Sequence, residues 1–235
     1  MKFSIVIPAY NEESRIEKTI NKILAYLNSK KWDFNIVVVD DGSTDKTGEI
    51  VSKFRNSQIE IVKNQKNMGK GYSVKRGALA SQGDWTIFTD ADLSTPIEEL
   101  EKFMQFQDYD VLIGSRALKE SKILVHQPFY RELSGKIFNL FVKLLVIRDI
   151  HDTQCGFKLF KREAAKEIFK RQTLNGFSFD VETIYIARKM GYRIKEIPIR
   201  WFNDKETKVK FVRSSLQMLI DLFKIRLNDI KGLYQ

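Results

Sequence analysis

The chain has little cysteine: Cys155 stands alone among 235 residues, so no internal disulfide can form and a disulfide-stapled secreted scaffold is excluded. Histidine is scarce too, and His126 and His151, without cysteine partners, are too few for a zinc site. No uncharged apolar run approaches the ~18 residues that a membrane-spanning helix needs. Met1 to Asn11 contains no basic region leading into a small-residue cleavage site. A chain that neither crosses a membrane nor leaves the cell is expected. Neither G-x-G-x-x-G after the first apolar run nor G-x-x-x-x-G-K-[ST] occurs, which removes the dinucleotide and P-loop folds. What is present, 43% hydrophobic and 30% charged residues with 12 Gly and 4 Pro, suits one globular domain over 1–235. Disorder, collagen and repeat arrays do not fit it.

Lys and Arg number 40 against 30 Asp and Glu, a net charge of +10. Residues 114–150 carry seven basic and three acidic side chains, and residues 201–235 seven and four, so these two stretches hold most of the excess. Nucleic acid, anionic lipid headgroups or phosphorylated small molecules are the polyanions such a surface would meet, and a merely soluble lysine-rich surface is the plain alternative. Nucleic acid fits least. The basic segments are interleaved with aliphatic rather than stacking aromatic residues, and the acidic strand ends described below would repel a phosphate backbone.

Strand and helix patterns alternate through the first half. Phe3 to Ile7, Asn35 to Val39, Ile59 to Val62, Trp85 to Thr89 and Tyr109 to Gly114 read as short apolar strands. Ile16, Ile20, Ile23, Leu24 and Leu27 recur at helical spacing, Asp45 to Phe54 and Gly71 to Ser81 read as helices, and Thr95-Pro96-Ile97-Glu98 has the form of a capping box. Such alternation implies an α/β fold with a mostly parallel central sheet, which binds ligands beyond the carboxyl ends of its strands.

At those ends stand Pro8-Ala9-Tyr10-Asn11-Glu12, Asp40-Asp41-Gly42-Ser43-Thr44-Asp45, Asp90-Ala91-Asp92 and Gly114-Ser115-Arg116. Clustered carboxylates need compensation, and Asp90-x-Asp92 is spaced to hold Mg²⁺ or Mn²⁺ together with substrate phosphates. Capping of the next helix is the alternative use of the same residues. Thr44 or Asp45 is suited to cap, whereas Asp40 and Asp41 suit an imide N–H of a pyrimidine. Gly69-Lys70-Gly71 reads as a helix entry that backbone or ligand approaches closely.

Those motifs, in that order and with Leu93, resemble family 2 glycosyltransferases of the GT-A fold. Among them the dolichyl-phosphate β-glucosyltransferases and polyprenyl-phosphate mannose synthases are most similar. The likeness continues through Asp152-Thr153-Gln154-Cys155-Gly156-Phe157-Lys158, Phe179-Asp180-Val181-Glu182 and the tail Trp201 to Arg226. It implies a single Rossmann-like domain with a nucleotide-sugar half, 1–115, and an acceptor half, 116–235, ending in amphipathic helices. It implies that Pro8, Tyr10, Glu12 and Asp40 line the base and ribose, joined by Asp41, Gly69, Lys70 and Ala91 around the donor. Asp90 and Asp92 would hold the metal on its diphosphate. Arg116, Arg131 and Ser134 would meet the acceptor phosphate, with Lys208 contacting phosphate from a returning loop where Glu206-Thr207 departs from the family pattern.

The implied reaction is inverting transfer of a hexose, glucose from UDP-glucose ahead of mannose from GDP-mannose, to a polyprenyl or dolichyl phosphate. A saccharide hydroxyl as acceptor would need a base, for which Asp180 or Glu182 could serve. A phosphate monoester, with its second pKa about 6, needs none, so Asp180 is expected to position groups or orient an arginine, an exposed helix carboxylate being the plain alternative. Leu133 to Ile150, interrupted only by Asn139 and Lys143 in its apolar stretch, reads as either a buried core helix or an interfacial one. With the basic amphipathic tail it suggests peripheral attachment to the cytoplasmic face of a membrane.

Overall fold

The structure, a computed structural model, describes residues 1–56, 58–204 and 211–235, with side chains in the last stretch from residue 215 onward. In chain order the elements are β1 (Lys2–Ala9), α1 (Ile16–Ser29), β2 (Asp33–Asp40), α2 (Thr47–Ser52), β3 (Ile59–Lys63), α3 (Lys70–Ala80), β4 (Trp85–Thr89) and α4 (Leu100–Phe103). There follow β5 (Val111–Ser115), β6 (Lys122–Val125), α5 (Phe129–Leu145), β7 (Phe157–Lys161), α6 (Arg162–Arg171), α7 (Phe179–Lys189), β8 (Ile194–Pro198), β9 (Arg200–Phe202) and α8 (Phe211–Ile230).

Among the described residues, seven strands form one sheet in the order β3-β2-β1-β4-β7-β5-β8, and β6 pairs with β9 separately. The sheet is parallel except for β7, which runs against both β4 and β5. The expected α/β architecture with a mostly parallel sheet is therefore present. The five expected strands all form, β7 and β8 join them in the sheet, and β6 and β9 make the separate pair.

β1 is apolar on both faces because both faces are covered. Phe3, Ile5 and Ile7 pack with the stripe Ile16, Ile20, Ile23 and Leu27 of α1 on one side. Val6 turns to the other, with Val37 and Val39. Gly77 of α3 lies against Val6 and Val39 so closely that a Cβ would overlap the Val6 side chain, and its lack of one sets the helix-to-sheet distance. The capping box does not form. Pro96 itself, extended at φ −59° and ψ 142°, takes the cap position before a 3₁₀ turn leading into α4, and the Thr95 hydroxyl faces the Cys155 thiol at 3.7 Å instead.

α5 is only in part a core helix. Only Phe138 and Val142 are buried. Tyr130, Leu133, Ile137, Leu140 and Leu144, one helical row, are exposed. α8 packs against α5 and exposes a row of its own: Leu216, Ile220, Phe223, Leu227 and Ile230. No helix among the described residues is long and apolar enough to cross a membrane.

Candidate active site

A cleft of about 830 Å³ opens beyond the carboxyl ends of β1, β2 and β4 and reaches across to α5, β9 and α8. That volume lies within the range of small-molecule sites. Pro8, Ala9, Tyr10 and Glu12 line its first wall, Asp41, Gly69 and Lys70 the next, and Asp90, Ala91 and Asp92 its floor, while Arg131 and Trp201 stand among the residues opposite.

The first wall is made rigid by reciprocal hydrogen bonds between the loops after β1 and β2. Asn11, held at a left-handed φ of 55°, donates its backbone N–H to Ser43 Oγ at 3.0 Å and accepts from Thr44 N at 2.8 Å. Glu12 N donates to Thr47 Oγ1 at 2.7 Å, and Glu13 accepts from Lys46 N at 3.0 Å. The Asn-Glu-Glu and Gly-Ser-Thr-Asp runs thus serve to lock one loop to the other. Asp45 does act near the helix start, accepting from Thr47 N at 2.9 Å. Arg15 extends the lock by pairing with both Glu12 and, at 2.6 Å, Asp204.

The adjacent carboxylates Asp40 and Asp41 separate, as successive strand-end residues do. Asp41 lines the cleft and organises it, accepting from Asn64 Nδ2 at 2.6 Å, Met68 N at 3.0 Å and Gly69 N at 2.9 Å. Asp40 is buried away from the cleft lining, accepts from Ser43 N at 2.9 Å, and points its other oxygen toward Gly48 in α2. Asp41 thus lines the cleft, whereas Asp40 stands outside the lining with its bond to Ser43 inside the turn.

The floor is built by the antiparallel strand. Thr89 pairs with Phe157, so Asp90 comes to lie over Gly156, where a Cβ would fall inside its carboxylate. Lys70 Nζ meets Asp90 Oδ1 at 2.7 Å, and Asp92 accepts from Ser94 N at 2.8 Å. Burial, and next the charge of Asp90, push the Asp92 carboxyl above its usual range. Burial works against the Lys70 ammonium, yet Asp90, Asp180 and Asp92 together hold it charged. Among the described residues no three His, Cys, Asp or Glu side chains converge on one point. Two carboxylates that line the cleft, one of them seated over a glycine, fit a hard divalent cation whose remaining ligands would be substrate phosphate and water. The raised Asp92 is the electrostatic cost that such a cation would relieve.

Behind the floor lies a pair that no local pattern announces. Lys158, the second residue of β7 and 1% exposed, contacts Asp180 and donates to Cys155 O at 2.6 Å. Asp180 is buried, not an exposed helix carboxylate; burial drives its carboxyl up, while Lys158 and then Lys70 pull it down. It engages a lysine rather than an arginine and does not line the cleft. Glu182 is further removed. Its oxygens accept from Thr173 N at 3.0 Å, Leu174 N at 2.8 Å and the hydroxyl of the buried Tyr234 at 2.7 Å, clamping the chain's end to α7.

Of the expected acceptor residues, Arg131 lines the cleft with its Nε buried. Arg116 does not line it. Its Nε and Nη2 grip Asp152 at 2.7 and 2.9 Å, its own backbone N–H meets the same carboxylate, and its guanidinium lies 5.4 Å from the centroid of the Trp201 ring. Burial opposes both charges, and each holds the other ionised, so Asp152 stays below the usual carboxylate range. Arg116 thus stands outside the lining, paired with Asp152 beside the Trp201 ring. Ser134 is half-buried on α5 outside the lining, and Lys208 lies outside the described residues.

A sequence model of glycosyl transferase family 2 matches residues 4–169. A dolichyl-phosphate β-glucosyltransferase of Dictyostelium discoideum is 34% identical over 248 residues, covering 99% of this chain and 76% of that protein. The human protein of the same name is 34% identical over 251 residues, covering 100% and 78%. The fold is shared with glucosyl-3-phosphoglycerate synthase from Mycobacterium tuberculosis, solved with Mn²⁺ and UDP-glucose. That likeness has a TM-score of 0.67 and 18% identity, over 96% of this chain and 78% of the other.

Proposed function

The chain belongs to glycosyl transferase family 2, and from that we propose that it is a metal-dependent enzyme transferring glucose from UDP-glucose to a polyprenyl phosphate of the dolichyl class, with inversion. The observation that carries this reading is the Asp90, Asp92 and Lys70 corner on the floor of a cleft whose far side holds Arg131 on a helix with an exposed apolar row. The names of its relatives support the sugar and the acceptor. The manganese and UDP-glucose bound by the fold neighbour support the donor and the cation.

Pro8, Tyr10, Glu12 and Asp41 would hold the base and ribose, and Gly69, Lys70 and Ala91 the neighbourhood of the diphosphate. Asp90 and Asp92 would hold Mg²⁺ or Mn²⁺, which when bound offsets the negative charge growing on the leaving diphosphate. Arg131 suits the acceptor phosphate because a guanidinium binds phosphate through paired hydrogen bonds and stays charged. An acceptor phosphate oxygen attacks the anomeric carbon as its bond to the diphosphate breaks, and UDP departs. No side chain has to remove a proton, since the phosphate is already largely dianionic at neutral pH. Attack opposite the leaving group converts an α-linked donor to a β-linked product.

Purified protein given Mn²⁺, a polyprenyl phosphate and one of UDP-glucose, UDP-GlcNAc or GDP-mannose is expected to make lipid-linked product from UDP-glucose at the highest rate, in β linkage. An α-linked product, or preference for GDP-mannose, contradicts the reading.

The apolar rows of α5 and α8, with Lys136, Lys143, Lys224 and Arg226 on the same helices, suit a membrane surface carrying anionic lipid. Each such basic residue contributes about 1 kcal/mol near that surface, falling with salt. Vesicles containing phosphatidylserine are expected to retain the protein at low salt, and Ile137→Glu with Phe223→Glu to release it. Equal retention of the double variant would refute this attachment.

A further inference from the structure

Lys70 holds a position that the transfer chemistry alone does not explain. Its ammonium sits 2.7 Å from an oxygen of Asp90, the carboxylate proposed for the cation, with both side chains less than a third exposed. Its backbone is pinned. Gly69 takes φ 102° against the carbonyl of Asn175, and at Gly71 a Cβ would stand 2.6 Å from Leu174 O and 2.7 Å from Phe179 Cβ. The start of α3 is thereby pressed onto the loop before α7, and Asp41 holds the Gly69 N–H. Lys70 can leave Asp90 only by swinging its four-carbon stem.

We infer that Lys70 is the counter-ion a divalent cation must displace from Asp90, and that this exchange makes cation binding depend on a nucleoside diphosphate. The inference rests on the donor and metal reading above and adds the order in which the site fills. An ammonium and a divalent cation on the same carboxylate repel each other in a partly buried place, so the two compete for the charge of Asp90. The displaced ammonium then needs an anion. Asp180 is already engaged by Lys158, and Asp92 is the cation's other proposed ligand.

Charge balance points the same way. Asp90, Asp92 and Asp180 face Lys70 and Lys158, leaving one negative charge in surplus. A divalent cation alone turns that into one positive, in a place where burial magnifies every unpaired charge. The phosphates of a nucleoside diphosphate remove the excess and offer Lys70 its new partner. Cation and diphosphate therefore bind better together than apart, and by linkage each strengthens the other equally.

The test is Mn²⁺ affinity by calorimetry, with and without UDP, for wild type, Lys70→Gln, Lys70→Met, Lys70→Arg and Asp90→Asn. Wild type is expected to bind Mn²⁺ roughly 10-fold or more tightly with UDP than without. Removal of the charge in Lys70→Gln or Lys70→Met should tighten Mn²⁺ binding without UDP by about 5-fold or more and shrink the effect of UDP in proportion. Lys70→Arg should keep the wild-type coupling, and Asp90→Asn should abolish binding. If neither neutral variant gains affinity without UDP while wild type binds Mn²⁺ with it, the exchange is wrong and the metal reading stands. If wild type binds no Mn²⁺ even with UDP, both fall.

Discussion

Gly156→Ala is expected to lower turnover by roughly 100-fold or more while the chain remains folded. The physical reason is the pairing of β7 with β4, which brings Gly156 beneath Asp90 so that a methyl group would overlap the carboxylate. Asp90 would have to rotate or lift, breaking its 2.7 Å contact with Lys70 and withdrawing from Asp92. A misplacement of about 1 Å in a positioned group is enough for a loss on that scale. The fold should survive because the clash is with one side chain at the cleft floor, not with the core. Gly135→Ala is the control, since a Cβ there meets nothing within 4 Å. Turnover and thermal unfolding of the two variants measure the effect. Wild-type turnover in Gly156→Ala would show that Asp90 need not lie where the strand pairing puts it.

Gly156 also marks where sequence reasoning reached its range. The strands β1, β2 and β4 were legible because buried parallel strands are continuous apolar runs, and the carboxylates at their ends stand out against them. β7 was not legible, because Phe157 to Lys161 carries Lys158 as its second residue, and a buried lysine makes sense only once Asp180 is seen 22 residues away. The same antiparallel strand gives Gly156 its function, so that function was equally hidden.

Orientation is the other thing pattern does not carry. Asp40 and Asp41 look interchangeable in sequence, yet the turn after β2 sends one under α2 and the other into the cleft. Arg116 and Arg131 both look suited to phosphate, and only the structure shows one closed on Asp152 outside the lining and the other in the cleft wall. Asp180 was legible as important but not as buried. For α5, helical periodicity located the apolar residues, while the side that faces the core follows from Phe138 and Val142 meeting α8 and its neighbours.

Metal removal is expected to have the largest effect of all, because it acts on the charge that must be neutralised as the diphosphate leaves. Asp90 and Asp92 have no third converging carboxylate among the described residues, so on the proposed assignment the substrate would complete the site, which would not retain a cation as a closed cage does. A chelator should therefore strip it readily. Loss of Lewis-acid stabilisation at a phosphate oxygen is worth several kcal/mol, which corresponds to a fall of roughly 100-fold or more in rate. Asp92→Asn should reproduce much of that loss, since an amide cannot supply the second anionic ligand.

The decisive measurement is the initial rate of glucose transfer from UDP-glucose to a polyprenyl phosphate in EDTA, followed by back-titration with Mn²⁺ or Mg²⁺, for wild type and Asp92→Asn. Near-complete loss in EDTA, recovery of wild type with either ion, and no comparable recovery of the variant are the predicted results. Undiminished transfer in EDTA, or full recovery of Asp92→Asn, would contradict the assignment of Asp90 and Asp92 to the cation.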